Sequence, residues 1–301
     1  MLLGTIWRFN WDQVRAYAHS VLSCGYSGPK ILFVRDIPTI VIIQLEKLGF
    51  QCIPWTLSRA DLHPITTRWE PIIRYLGQAN YHGPVVITDV NDTVFQSNPF
   101  SFLAKHPGKI IGATESILVG HEQTNDGWSD NMRWCVAAVG REEAESVADQ
   151  EVVCHGTIAG DGTTVLMYVK ALYDRLYEHK NPQLIDQGLG QWLLRQEPIA
   201  QSLYIPRPAE GYILSGNFCW HSGMDPAPEI RNGVLYPKGS EEPFALVHLT
   251  RHSNLRFLTR KYWNPPNPDG IVRSGCYRCG YFESRLGPFG VRCRKCGSPW
   301  D

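Results

Sequence analysis

The sequence has no excess charge of either sign and no long apolar run. Its 301 residues include 29 Lys and Arg and 29 Asp and Glu, so the formal net charge is zero. A neutral chain has no overall field that would draw it to nucleic acid or to a membrane surface. No apolar stretch approaches the roughly 18 residues of a membrane-spanning helix, and the first residues lack the features of a signal peptide. We therefore expect a cytoplasmic protein with no transmembrane segment, for which nucleic acid is a disfavoured partner.

The sequence also lacks a disulfide framework. Nine cysteines are present, whereas disulfide scaffolds use an even number at regular spacings. Five of them are scattered along the chain: Cys24, Cys52, Cys135, Cys154 and Cys219. We expect these five to be reduced thiols, as in a reducing compartment.

A third absence concerns phosphate binding. The chain contains neither a G-x-G-x-x-G loop nor a Walker-type loop, whose backbone N–H groups would hold phosphates. In a protein of this kind a metal ion and basic side chains must meet the charge of any bound phosphate.

Strand and helix patterns alternate along the first half of the chain. The predicted strands are Leu2–Trp7, Lys30–Val34, Phe50–Pro54, Val85–Thr88 and Ile110–Ala113, and the predicted helices are Trp11–Cys24, Pro38–Leu48 and Arg68–Asn80. Farther along, Thr163–Glu178 and Asp186–Arg195 have helical spacing, and Phe244–Leu249 is strand-like. This alternation predicts an α/β fold with a mainly parallel sheet flanked by helices.

Two carboxylates follow the fourth predicted strand. Asp89, Asn91 and Asp92 come directly after Val85–Thr88, and ligands of open α/β sheets bind beyond the carboxyl ends of strands. Oxygen ligands suit Mn²⁺ or Mg²⁺, and His248, which follows another apolar run, could complete the coordination of Mn²⁺. We predict a metal site here; the alternatives are a solvated turn for the acids and a buried structural histidine.

Four segments resemble those of GT-A-fold glycosyltransferases that use nucleotide sugars. Thr88-Asp89-Val90-Asn91-Asp92, with Phe95–Phe100 after it, is similar to the family's aspartate motif. His155-Gly156-Thr157-Ile158-Ala159-Gly160 resembles its sugar-facing segment. Asp186-Gln187-Gly188-Leu189-Gly190 resembles a helix start of glycogenin-like and related retaining enzymes, and Val247–His252 resembles its late histidine segment.

This resemblance implies a GT-A-type domain over residues 1–263. It implies transfer of a sugar from a UDP- or GDP-sugar to a hydroxyl acceptor such as a glycan, with Mn²⁺ or Mg²⁺ as cofactor and with retention slightly favoured over inversion. The family pattern is commonly Asp-x-Asp, whereas here Asn91 occupies the third place and Asp92 the fourth. Which of these two makes the second metal contact stays open.

The resemblance also suggests roles for individual residues. Asp186 and Asp161 are the candidates for the catalytic carboxylate, and Asp186 also suits the start of a helix, where the dipole favours its charge. The predicted donor and nucleotide contacts are Arg68, Asp89, Asn91, Arg251 and Lys261. The predicted sugar and acceptor contacts are Trp128, His155, Gly156, Thr157 and Gln187.

The C-terminal segment carries a second metal pattern. Two Cys-x-x-Cys-Gly motifs supply Cys276, Cys279, Cys293 and Cys296, and four thiolates at such spacing match a closed, tetrahedral Zn²⁺ site. We predict a Pro-rich linker at residues 264–272 and a zinc ribbon at residues 273–301, with Zn²⁺ in a structural role.

A second function from another class is also compatible with the sequence. The GT-A-like domain could be catalytically inactive, and the basic zinc ribbon could recruit nucleic acid or protein. Nucleotide binding in the presence of Mn²⁺ would distinguish the two.

Overall fold

The computed structural model describes residues 1–56, 58, 64–120, 129–178, 185–216, 228–250, 255–263, 284–287 and 290–293. Several predictions concern residues outside this part of the chain: the linker, Trp128, Arg251, Cys276, Cys279 and Cys296. For Cys293 and Lys261 the structure describes the backbone alone.

Fourteen strands are formed by the described residues. They are β1 (Leu2–Trp7), β2 (Lys30–Arg35), β3 (Gln51–Pro54), β4 (Pro84–Asp89), β5 (Val94–Phe95), β6 (Ile110–Leu118), β7 (Glu151–Asp161), β8 (Leu203–Tyr204), β9 (Ile213–Ser215), β10 (Glu229–Arg231), β11 (Val234–Tyr236), β12 (Leu246–His248), β13 (Ser284–Gly287) and β14 (Gly290–Cys293).

Ten α-helices are formed by the same residues. They are α1 (Trp11–Ser23), α2 (Thr39–Lys47), α3 (Pro64–Thr67), α4 (Trp69–Gln78), α5 (Phe100–Leu103), α6 (Asp130–Val139), α7 (Arg141–Glu145), α8 (Gly162–Glu178), α9 (Ile185–Leu193) and α10 (Arg256–Trp263). Among the described residues no helix is both long enough and apolar enough to cross a membrane.

The chain divides into two compact units. The first comprises Met1–Arg8, Gly28–Asp89 and Pro99–Arg207. The second comprises Phe9–Ser27, Val90–Asn98 and Pro208–Asp301. Each unit is therefore assembled from segments that are distant in the sequence.

The first unit is built on a seven-stranded sheet of order β3-β2-β1-β4-β7-β6-β8. Strands β1 to β4 are mutually parallel, and β6 is parallel to β8. Strand β7 runs antiparallel to both of its neighbours. The predicted α/β fold with a mainly parallel sheet is confirmed, and all five strands predicted in the first half of the chain are present.

Strand β7, which lies inside the sheet between β4 and β6, was not predicted. It is buried over Val152–Gly160, so it shows none of the polar–apolar alternation that marks a half-exposed strand. His155, Gly156 and Thr157 also interrupt its apolar run. From the sequence, part of β7 was therefore predicted to be a binding segment but was not predicted to be a strand.

The core of the first unit lies between the sheet and helices α4, α8 and α9. Trp69 and Leu76 of α4, Ile87 of β4, Val169 of α8 and Leu189 of α9 belong to one buried cluster. In α8 the same cluster also contains Val165, Leu172 and Leu176, which recur at helical spacing, and burial of this face fixes the orientation of the helix.

The second unit contains a three-stranded sheet of order β5-β12-β9 and helices α1 and α10. Helix α1 begins at a capping box: the Asn10 side chain accepts from the Gln13 backbone N–H at 3.1 Å, and the Gln13 side chain accepts from the Asn10 N–H at 2.9 Å. Such reciprocal bonds satisfy amide groups that have no partner inside the helix. The strand predicted over Phe244–Leu249 is present but covers only Leu246–His248, and at its C-terminal end Leu249 adopts a φ of 61°.

Candidate active site

Three elements of the first unit bring polar side chains to one end of β4. Asp89 is the last residue of β4, Arg68 lies at the start of α4, and Asp186 is in the first turn of α9. Strand β7 pairs with β4 in the antiparallel sense, with Thr157 opposite Thr88. His155 therefore lies at the same end of β4 as Asp89.

Arg68 joins these groups. Its Nη1 donates to Asp89 Oδ1 at 2.5 Å, and its Nη2 donates to Asp186 Oδ2 at 2.9 Å and to the His155 carbonyl at 3.0 Å. The guanidinium also lies 4.6 Å from the Trp69 ring centroid. The Arg68 guanidinium is thus shared by two carboxylates and is also held by a carbonyl and an aromatic ring.

The two carboxylates differ in their exposure to solvent. The Asp89 side chain is 36% exposed, whereas that of Asp186 is 2% exposed. Burial raises the pKa of Asp186, while Arg68 and the Gln187 N–H, which donates to Oδ1 at 2.8 Å, oppose that shift. Asp186 is therefore a buried carboxylate that Arg68 and Gln187 hold in place, and Asp89 is the one of the pair that solvent can reach.

The His155 imidazole is buried, and its two ring nitrogens already have partners. Nδ1 is 3.1 Å from the Val153 carbonyl, and Nε2 contacts the Tyr168 hydroxyl. Since the carbonyl can only accept, Nδ1 carries the proton and Nε2 accepts from Tyr168. Burial, with Arg68 nearby, lowers the pKa of His155 to about 3, so the ring is neutral. In this arrangement His155 offers its carbonyl to Arg68.

Gln187 connects the start of α9 to two neighbouring elements. Its Nε2 donates to Asn131 Oδ1 at 2.8 Å and to Glu115 Oε1 at 3.4 Å, while its Oε1 accepts from the His155 N–H at 3.4 Å. Sequence reasoning missed Asn131, and no motif in the chain marks it. Asn131 is buried near the start of α6, and only the structure shows this burial.

The two glycines of Asp186-Gln187-Gly188-Leu189-Gly190 have a packing role. A Cβ at Gly188 would overlap the backbone of Trp134, and a Cβ at Gly190 would overlap the His155 ring and the Tyr168 hydroxyl. Only glycine allows α9 to approach α6 and β7 so closely, and this approach positions Asp186 and Gln187.

Asp161 lies elsewhere in the first unit. It ends β7 opposite Pro84, at the other end of β4 from Asp89. Its Oδ1 accepts from the backbone N–H of Thr163 at 3.0 Å and of Thr164 at 3.4 Å, so it caps α8. The structure does not bring Asp161 together with Arg68 and Asp186.

In the second unit, Asp92 and His248 form a buried pair. Asp92 Oδ1 is 3.4 Å from His248 Nε2, and the two side chains are 3% and 1% exposed. The Thr250 N–H donates to the Asp92 carbonyl at 2.9 Å, which ties the chain after β12 to the segment after β4.

Asp89, Asp92 and His248 could bind a metal. Asp89 precedes Asp92 by three residues, and one ligand atom from each of the three side chains lies within 4.8 Å of the others. Carboxylate oxygens with an imidazole nitrogen suit Mn²⁺ and related divalent cations. Asn91 lies in the bend between the two acids and is half-buried.

The remaining predicted contacts are less informative. Gly156 and Thr157 are buried in β7, where the Thr157 Oγ1 has no hydrogen-bond partner. Lys261 lies on α10. Of the four cysteines of the predicted zinc site, the structure describes the backbone of Cys293 alone, in β14. The zinc ribbon stays a prediction.

The fold is similar to the GT-A-like fold, which occurs in glycosyltransferases. A particular solved structure that shares it is that of an active-site mutant of LgtC, a glycosyltransferase. The TM-score is 0.50 and the sequence identity is 10%, over 82% of this chain and 86% of that chain. No protein-family model and no curated protein matches the sequence. At this identity the likeness concerns the fold.

Proposed function

We propose that this protein is a metal-dependent glycosyltransferase that moves a sugar from a UDP- or GDP-sugar to a hydroxyl group of a glycan or other acceptor. The observation that carries the proposal is the grouping of Asp89, Asp92 and His248, with ligand atoms within 4.8 Å of one another, on a GT-A-like fold. The Arg68–Asp186 pair beside Asp89 supplies groups suited to the chemistry.

Asp89, Asp92 and His248 would hold the cation. Mn²⁺ or Mg²⁺ bound there would supply a Lewis acid that offsets the charge growing on the leaving diphosphate. We prefer Asp92 to Asn91 as the second metal ligand, because the Asp92 carboxylate faces His248. Arg251 and Lys261, which follow His248 in the sequence, are proposed to add positive charge toward the phosphates.

Arg68 and Asp186 would act on the sugar. Charged groups held in a buried site interact more strongly than in water and need no reorientation during the reaction. Asp186 is held in place by Arg68 and by the Gln187 N–H, so it suits the stabilisation of positive charge at the anomeric carbon better than proton abstraction from an acceptor. This arrangement supports retention over inversion.

The acceptor would lie on the side of the site formed by Gln187 and Thr157, and Trp128, which lies outside the described residues, is proposed from the sequence as a further sugar contact. A buried hydroxyl without a partner, as at Thr157, can bond a substrate hydroxyl. The four cysteines of the C-terminal segment are proposed to hold a structural Zn²⁺ that has no open position for substrate.

Turnover of nucleotide sugars tests this function. Purified protein with MnCl₂ is incubated with a panel of UDP- and GDP-sugars, and release of the nucleoside diphosphate is measured. We expect turnover of at least one donor, loss of that turnover in His248→Ala, and wild-type turnover in His82→Ala. His82 is an exposed histidine next to Thr163, at the far end of β4 from Asp89.

The same experiment identifies failure. If the wild-type protein turns over no donor and binds no nucleotide with Mn²⁺, the enzyme proposal is wrong, and a role as a catalytically inactive binding protein is favoured. Equal activity in His248→Ala and His82→Ala would reject His248 as a metal ligand.

A further inference from the structure

Three serine and threonine hydroxyls that are buried in the described part of the second unit have no hydrogen-bond partner. They are the Oγ atoms of Thr93, Ser215 and Thr250, in residues that are 1%, 2% and 0% exposed. Leaving a buried hydroxyl unsatisfied costs folding free energy. Native proteins keep few such groups, and each one calls for an explanation such as a bound ion or ligand.

The pairing of the strands aligns two of these hydroxyls with His248. In the parallel pair of β9 and β12, Ser215 is the partner of His248. In the antiparallel pair of β5 and β12, Val94 is the partner of Val247, and one further residue in this register brings Thr93 opposite His248. Partners across neighbouring strands share a face of the sheet, with Cβ atoms roughly 4.5–5.5 Å apart. Thr93, His248 and Ser215 therefore form a row.

The backbone of Thr250, the residue with the third hydroxyl, is tied through the loop after β12 to the segment that precedes Thr93. Leu249 adopts a φ of 61°, and the chain turns so that the Thr250 N–H donates to the Asp92 carbonyl at 2.9 Å. Gly216 permits this turn, because a Cβ there would lie 2.7 Å from the Leu249 carbonyl oxygen. Strained backbone of this kind is common at functional sites.

We propose that Thr93, Ser215 and Thr250 form a hydrogen-bonding shell for a hydrated divalent cation held by Asp92, His248 and Asp89. This inference rests on the proposed function, from which it takes the cation. Mg²⁺ and similar small cations keep several water ligands when they bind to proteins. A hydroxyl can both accept from and donate to such a water. Groups around the direct ligands commonly tune metal affinity, and here they would receive their missing partners from the cation's waters.

A variant without the three hydroxyls separates this role from a structural one. In Thr93→Val/Ser215→Ala/Thr250→Val the side chains keep nearly the same size and lose their polar groups. We expect a melting temperature without metal that equals or exceeds that of the wild type, since the lost hydroxyls had no partners. Titration with MnCl₂ alone should show a Kd weakened on the order of tenfold and a smaller Mn²⁺-induced rise in melting temperature.

Ser20→Ala is the matched control. Ser20 Oγ is buried in the same unit, but it donates to the Tyr17 carbonyl at 2.8 Å and accepts from the Phe95 N–H at 3.1 Å. Its loss leaves a buried amide unpaired, so the metal-free melting temperature should fall while the Mn²⁺ affinity stays at the wild-type value.

The outcomes distinguish the shell from the function on which it depends. A wild-type protein that binds no Mn²⁺ contradicts the proposed function and the shell together. Mn²⁺ binding that is equally tight in the wild type and the triple variant overturns the shell alone. A lower metal-free melting temperature in the triple variant also overturns it, because the hydroxyls would then serve the fold. Ser215→Ala alone provides the same comparison if the triple variant does not fold.

Discussion

Arg68 shows how a single residue sets the charge balance of the site. It is 14% exposed and pairs with two acids, of which Asp186 is buried and Asp89 is half-exposed. A buried carboxylate whose partner is removed carries a large penalty, about 3–5 kcal/mol, so Arg68 supports the fold through Asp186. Asp89 does not depend on Arg68 in this way, since solvent reaches it, and it is the acid of the pair that is proposed to bind the metal ion.

His155 gives the site a measurable dependence on pH. Its folded-state pKa, about 3, lies below its ordinary value of 6.5, so between these values the unfolded chain binds a proton that the folded protein does not. Stability from this residue is therefore present above pH 6.5 and is lost as the pH falls. In His155→Gln this dependence disappears, and between pH 6.5 and pH 5 the variant should lose ~2 kcal/mol less than the wild type.

Urea denaturation at pH 6.5 and pH 5 measures the two losses. Asp186, whose pKa is raised by burial, binds its proton more readily in the folded state and acts in the opposite sense in both proteins, so it cancels in the comparison. Equal losses of unfolding free energy in the wild type and His155→Gln would contradict the neutral, buried assignment of the ring.

The sequence pointed to the ionisable residues of the candidate site more readily than to the residues that hold them in place. Asp89, Asp92, Arg68, Asp186 and His248 were all singled out, because acids after a strand and a resemblance to known segments can be recognised along the chain. The residues that hold them, such as Tyr168 and Asn131, are helix residues without a motif. Their roles depend on which helix faces which strand, and the sequence alone does not determine this.

At the scale of elements, helix α9 is positioned by its glycines. Gly188 lies against the Trp134 backbone and Gly190 against His155 and Tyr168. The two glycines, which the sequence presented as part of a binding motif, therefore also allow close packing of α9. It brings the first turn of α9, with Asp186, to the end of β4.

Alanine substitutions test this packing. Gly188→Ala places a methyl group in the Trp134 backbone, so we expect a loss of unfolding free energy of about 1–3 kcal/mol or more. Gly77→Ala in α4 is the matched control, since a Cβ there meets no atom within 4 Å, and it should stabilise the protein by roughly 0.5–1 kcal/mol. Chemical denaturation compares the two. If the Gly188→Ala variant were as stable as the wild type, α9 would not need this close approach.

Short strands limited what the sequence could predict about the second unit. Strand β5 has two residues, and β9 and β12 have three each, which is too few for a periodic pattern to emerge. The row of Thr93, His248 and Ser215 depends on the register of these strands. The sequence contains all three residues, but only the pairing of the strands places them side by side.

At the scale of the whole molecule, the chain interleaves its two units. The first crosses to the second directly after Asp89, so the aspartate motif spans the change from one unit to the other. The α/β class was predictable from alternating periodicities, which reflect burial of one face of each element. The division into units was not, because it depends on contacts between segments that are more than a hundred residues apart.

Metal-dependent nucleotide binding tests the central claim most directly. UDP and GDP are titrated separately into the wild-type protein by isothermal calorimetry, first with MnCl₂ and then with EDTA. The account predicts that at least one of them binds with Mn²⁺. Binding should be weakened by at least about tenfold in EDTA, because the bound cation offsets the negative charge of the phosphates. Equal binding with and without Mn²⁺, or no binding of either nucleotide in its presence, would contradict it.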